Sequence, residues 1–110
     1  EAFSLSVSCK DQEEIDYFWN ALTADGGEES QCGWLKDKYG LSWQIVPEQL
    51  QELMRKGSPE ATQRVVAAFM QMKKFDIAKL EAAARKLDLA EGRRLLAMLG
   101  VHMQGLLAAL

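Results

Sequence analysis

The sequence predicts an α+β fold, one βαβββ module followed by three to four C-terminal helices. Three observations predict it. Apolar and small polar residues alternate with period two at the start and again over residues 41–46, one amphipathic helical stretch lies between, and past Pro47 the apolar spacing is helical. At 110 residues, 48% hydrophobic and 26% charged, the chain suits a single domain with an ordinary core, and excludes disorder and collagen-like repeats. Its longest apolar run, Leu95–Val101, is far short of the ~20 residues a membrane-spanning helix needs. The expectation is a soluble, cytoplasmic protein with no membrane partner.

Phe3, Leu5, Val7 and Cys9 alternate with Ser4, Ser6 and Ser8, which predicts a strand with one apolar and one small polar face. Asp11 stands three residues before Glu14, a capping-box arrangement, and Ile15, Phe18, Trp19 and Leu22 follow at helical spacing, so a helix is expected over 12–23. Gly26 and Gly27 break it. Residues 28–31 are expected as a short charged edge, 32–36 as a strand, Asp37-Lys38-Tyr39-Gly40 as a turn and 41–46 as the last strand. Pro47 opens a helix whose Leu50, Leu53 and Met54 share a face. Ser58-Pro59 is an N-cap pair for another carrying Val65, Phe69 and Met72, and Asp76 caps a third with Ile77, Leu80 and Ala84. Asp88 and Glu91 form a second capping box, after which Leu96, Leu99, Met103, Leu106 and Leu110 step by three and four. This seam either packs a final helix on its own domain or joins two chains.

One helix can cover only one face of the sheet. Leu5, Val7, Leu41, Trp43 and Ile45 are expected on the helix-facing side, and Ser4, Ser6, Ser8, Ser42 and Gln44 on the other. A face of small hydroxyls and one amide is neither a second core nor a fully charged surface. It suits the floor of a cup.

The net charge of −3 divides into −7 over residues 1–48 (three Lys, ten Asp/Glu) and +4 over 49–110 (ten Lys/Arg, six Asp/Glu). The basic residues are spread over predicted helices without interleaved aromatics, so the division reads as an acidic sheet half attracting a basic helical half rather than as a nucleic-acid-binding arm. Cys9 and Cys32 form no CxxC and have no paired histidines, which excludes a zinc ribbon. They read as small buried hydrophobes, with a reactive thiol as the alternative. There is no Gly-rich phosphate loop, no GxSxG and no histidine placed to activate a nucleophile.

The stretch Gly26-Gly27-Glu28-Glu29-Ser30-Gln31-Cys32-Gly33-Trp34-Leu35-Lys36-Asp37-Lys38-Tyr39-Gly40-Leu41-Ser42-Trp43-Gln44-Ile45-Val46-Pro47, with Cys9-Lys10-Asp11-Gln12-Glu13-Glu14 and Met70-Gln71-Met72-Lys73-Lys74-Phe75-Asp76-Ile77, closely resembles the PhnB-like branch of the vicinal oxygen chelate superfamily. That superfamily includes glyoxalase I, bleomycin-resistance proteins and extradiol dioxygenases, and the branch is often labelled 3-demethylubiquinone-9 3-methyltransferase. The resemblance covers residues 1–84 and matches the second βαβββ module of such proteins; 85–110 resemble no family ending. It implies a cup built from two modules, completed here by a missing N-terminal module or by a second copy in a homodimer. It also implies a small-molecule ligand on the floor formed by Gln44, Ser42, Ser6, Ser4 and Ser8, with Trp34 either stacking on a flat ligand at the rim or packed in an interface.

In metal-dependent relatives the position of Gln44 holds a carboxylate, and a first-strand ligand falls near Glu1 or Ala2. An uncharged amide binds a divalent metal more weakly, and the single histidine, His102, lies in the tail, so one chain does not supply a metal site. Three readings follow: a small-molecule-binding protein of this type, a divalent-metal lyase or dioxygenase (or the methyltransferase of the label), and a structural dimerisation module.

Overall fold

A computed structural model describes residues 3–86 together with residues 93, 97, 98 and 100. Its elements run β1 (Ser4–Cys9), α1 (Gln12–Thr23), β2 (Glu28–Glu29), β3 (Trp34–Lys36), β4 (Ser42–Pro47), α2 (Glu48–Lys56), α3 (Pro59–Phe69) and α4 (Ile77–Arg85). The α+β class and the βαβββ order are as the sequence predicts, with three helices after the sheet among the described residues. The Asp88–Glu91 cap, the Leu96–Leu110 seam, Glu1, Ala2 and His102 lie outside the described residues.

The sheet is mixed, in the order β1-β4-β3-β2, with β1 parallel to β4 and the other pairs antiparallel. Its parallel pair is joined through α1 and the hairpins, as a crossover connection requires. In α1, Asp11 accepts a hydrogen bond from the Glu14 N–H (2.9 Å), while the Glu14 carboxylate accepts from the Lys10 N–H (2.8 Å), one residue short of the usual reciprocal partner. The helix buries Ile15 and Trp19 against Cys9, Leu35 and Ile45. The same core continues through Val65, Phe75, Ile77 and Leu80, so the sheet and the later helices share one apolar cluster. Ser58 and Asp76 cap α3 and α4 through the N–H groups of Ala61 (3.0 Å) and Lys79 (3.1 Å).

Contacts far apart in sequence seat the helices. The Gln12 amide donates to the Phe75 carbonyl (3.0 Å) and accepts from the Ile77 N–H (2.8 Å), and Lys74 meets Asp16 at 2.8 Å. Asp16 is held below the usual carboxylate range, chiefly by its bond from Lys74 and then by Gln12.

Several expected boundaries move. Cys32 and Gly33, expected in a strand, have positive φ (56° and 82°), and their N–H groups bond the carbonyls of Met72 and Lys73 (both 2.8 Å), so they form a turn locked to the segment before α4. A side chain at Gly33 would run into the Phe75 ring, so both the backbone angle and the space require glycine. The charged edge stops at Glu29, because the Ser30 N–H turns back to the Trp34 carbonyl (2.9 Å). Leu41 belongs to the turn rather than to β4, its carbonyl bonding the Asp37 N–H (2.9 Å), and Met72 follows α3 rather than sitting on it, yet still packs on the core.

Candidate functional site

Alternation along three neighbouring strands builds two unlike faces. The register pairs Ser4 with Ser42, Ser6 with Gln44 and Ser8 with Val46 between β1 and β4, and Trp34 with Gln44 and Lys36 with Ser42 between β3 and β4. Paired residues point to the same side, so Ser4, Ser6, Ser8, Ser42, Gln44, Trp34 and Lys36 share the face opposite α1. Leu5, Val7, Leu35, Trp43 and Ile45 share the face beneath it. Except for Leu41, the residues expected on each side lie there, and Val46 and Lys36 join the polar side and Leu35 the other.

The polar face is open at its margins and closed at its centre. Ser4, Ser6, Ser8 and Lys36 are exposed, Trp34 is 37% exposed, and Gln44 is half-buried, whereas Ser42 in the middle strand is only 5% exposed. The Gln44 amide donates to the Cys32 carbonyl (3.4 Å), which ties this side chain to the turn ahead of β3. A cleft of about 440 Å³ opens here, lined by Ser4, Ser30, Ser42, Trp34, Leu35 and Lys36. It brings together Ser4, Ser42 and Trp34 of the expected residues. Ser6 and Gln44 lie on the same face beside it, and Ser8 lies farther along, next to Val46.

Three lining residues, Ser30, Leu35 and Lys36, escaped the sequence reading. Lys36 was within its reach, since period-two alternation from Trp34 puts it on the same face. It stands between Glu28 across β2 and Ser42 across β4, so its charge is set beside a carboxylate. Ser30 is brought in by the tight return from β2 to β3, which no local pattern announces.

A family model described as 3-demethylubiquinone-9 3-methyltransferase matches residues 1–46. The matched segment runs from the start of the chain to the next-to-last residue of β4 and contains every residue of the cleft. No curated protein matches the chain.

A second cleft, of about 450 Å³, runs along α1 past Lys10, Asp11, Glu13, Glu14, Tyr17 and Phe18. Asp11 and Glu14 there are engaged in capping the helix, so the groove is explained by the helix start. Among the described residues no three His, Cys, Asp or Glu side chains converge on a point where a cation could sit. With an amide at position 44, the described part of one chain does not fit a divalent-metal centre of the kind the resemblance carries. No described helix is long and apolar enough to cross a membrane.

The two cysteines differ. Cys9 is fully buried in the core, and burial, followed by Glu14, Asp11 and Glu48, pushes its thiol pKa up, which keeps it protonated and unreactive. Cys32 is not the buried hydrophobe expected. It is half-buried in its turn, with its sulfur 3.8 Å from that of Met70.

Proposed function

We propose that this chain is a small-molecule-binding protein of the vicinal oxygen chelate type, PhnB-like, whose ligand lies on the open sheet face. One observation carries the reading: the exposed side of the sheet is a floor of hydroxyls and one amide beside a half-exposed indole and Lys36, while Leu5, Val7, Leu35, Trp43 and Ile45 turn the other way. A ligand site of this kind combines an apolar surface with a few fixed polar groups. Here Trp34 supplies the surface, and Ser4, Ser6, Ser42 and Gln44 supply the polar groups. The family match over residues 1–46 supports the same reading, because it spans that floor.

The floor is shallow. A second module or a second chain facing it completes the enclosure, as the two-module architecture of the resemblance implies. These residues are suited to binding and orienting a ligand.

Trp34 makes the reading testable. A panel of flat, polar small molecules titrated against the protein should contain ligands that change its tryptophan fluorescence, and Trp34→Ala should weaken their binding about 10-fold or more while leaving the thermal midpoint nearly unchanged, since a half-exposed ring contributes little to the core. Ligands that bind the variant as tightly as the wild type would place the site elsewhere.

A further inference from the structure

The open face of the sheet is ordered in rows that run across the strands. Register sets Ser4 of β1, Ser42 of β4 and Lys36 of β3 side by side, and the next row on the same face holds Ser6, Gln44 and Trp34. Glu28 of β2 ends the first row, beyond Lys36. Trp34 and Lys36 are two positions apart on one strand, so their side chains leave the sheet about 7 Å from each other.

The two rows differ in what they recognise. Among the described residues the cleft is lined by one cation, Lys36, and by no carboxylate. An ammonium only donates hydrogen bonds, and a serine hydroxyl turns to donate where an acceptor faces it. The row of Ser4, Ser42 and Lys36 therefore favours a negatively charged acceptor, although residues 1–48 carry ten Asp/Glu against three Lys. Lys36 takes part in an interaction within the protein, but its ammonium has three donors, so a ligand oxygen adds to that contact rather than replacing it. One ammonium balances one negative charge. The lining comes from strands and a turn, with no helix N-terminus to help hold the larger charge of a phosphate group. The neighbouring row offers the Trp34 indole, 37% exposed, whose face takes another flat ring. The spacing of the two side chains is within the span of an aromatic ring that bears a carboxylate, with the flexible lysine stem taking up the remainder.

We infer that the ligand of this cleft is a planar aromatic carboxylate, its ring on Trp34 and its carboxylate over Ser42 and Lys36. This assignment rests on the binding role proposed above and adds the chemical class of the ligand.

Calorimetric titration of the full chain with 2-naphthoate, with its uncharged amide and with the cationic 2-naphthylmethylamine tests the class. Naphthoate should bind about 10-fold or more tightly than either of the others, the size expected of a charge-assisted hydrogen bond. Lys36→Met should reduce that preference to about 2-fold or less, and Lys36→Arg should keep most of it, because only the second retains a cation. Far-UV circular dichroism should be unchanged in both, since Lys36 is exposed. In the wild type the preference should also shrink as sodium chloride is raised from about 0.02 M to about 0.5 M, a readout that needs no variant. An amide that binds as tightly as naphthoate would overturn the inference, and the cup reading would survive if Trp34→Ala weakened both ligands. Naphthoate that fails to bind, or a preference that persists in Lys36→Met, would overturn the inference as well. Should no flat molecule of the wider panel bind, the cup reading falls and takes the inference with it.

Discussion

Asp37 holds the turn between β3 and β4 from two sides. Its Oδ1 accepts from the N–H groups of Tyr39 (2.9 Å) and Leu41 (3.0 Å), and its Oδ2 from the Trp43 indole (2.9 Å). The indole bond, the largest influence, holds the carboxyl below the usual carboxylate range against the opposing effect of burial, helped by the backbone bonds from Leu41 and Tyr39 and by the nearby Lys38. Because the folded-state pKa lies below the unfolded one, the stabilisation is fully present above about pH 4 and is lost as the pH falls through the lowered value. Asp37→Asn keeps the shape but removes the charge. The thermal midpoint of the variant should therefore change less than that of the wild type between about pH 5 and pH 2, and parallel curves would show that the carboxylate contributes nothing there. The turn itself was legible, because Asp-Lys-Tyr-Gly is turn chemistry. The left-handed backbone of Cys32 was not, since its N–H finds Met72 forty residues downstream, and a local pattern carries no trace of that partner.

At the scale of elements, the helix caps were the best-read feature. Asp11, Ser58 and Asp76 all cap as expected, because a capping bond is made within three residues of the cap and leaves a sequence mark of the same span. Asp11→Ala should cost about 1 kcal/mol and lower the thermal midpoint by about 3–6 °C. Asp11→Ser, which retains an acceptor, should recover most of it, and a loss of equal size in both variants would point to something other than the cap. Strand ends were read less well. β2 stops two residues early and β3 starts two residues late, because the chain between them folds into a turn held by Met72 and Lys73 rather than by its own neighbours. The same long-range hold explains why Ser30, unremarkable in the sequence, reaches the cleft.

For the whole molecule, Phe75 is the joint between the layers. It is 2% exposed, lies against Gly33 and meets Phe69 edge-on at 6.0 Å, while its backbone carbonyl is bonded by Gln12 of α1. Phe75→Ala should cost about 3–5 kcal/mol, a large part of the stability of a chain this size. All three tryptophans, Trp19, Trp34 and Trp43, lie in the first 47 residues, so their fluorescence reports the sheet half, whereas far-UV circular dichroism also reports the later helices. In urea the two signals should move together in the wild type, as one shared core requires, and separate transitions would show that the halves unfold independently.

What the sequence by itself determined is what acts over one or two turns of chain: the alternation that splits β1 and β4 into unlike faces, the caps, the Asp37 turn and the order of elements. Only the tertiary structure decided which strands are neighbours. It set β1 parallel to β4, some forty residues away, and so placed Ser6 beside Gln44 and Gln44 beside Trp34. It also closed the Cys32 turn on Met72 and drew Ser30 and Lys36 into the cleft. The reason is physical. Backbone preference and capping are satisfied locally, whereas strand pairing is chosen by burying Leu35, Ile45, Trp19 and Phe75 together, and that choice involves the whole chain at once.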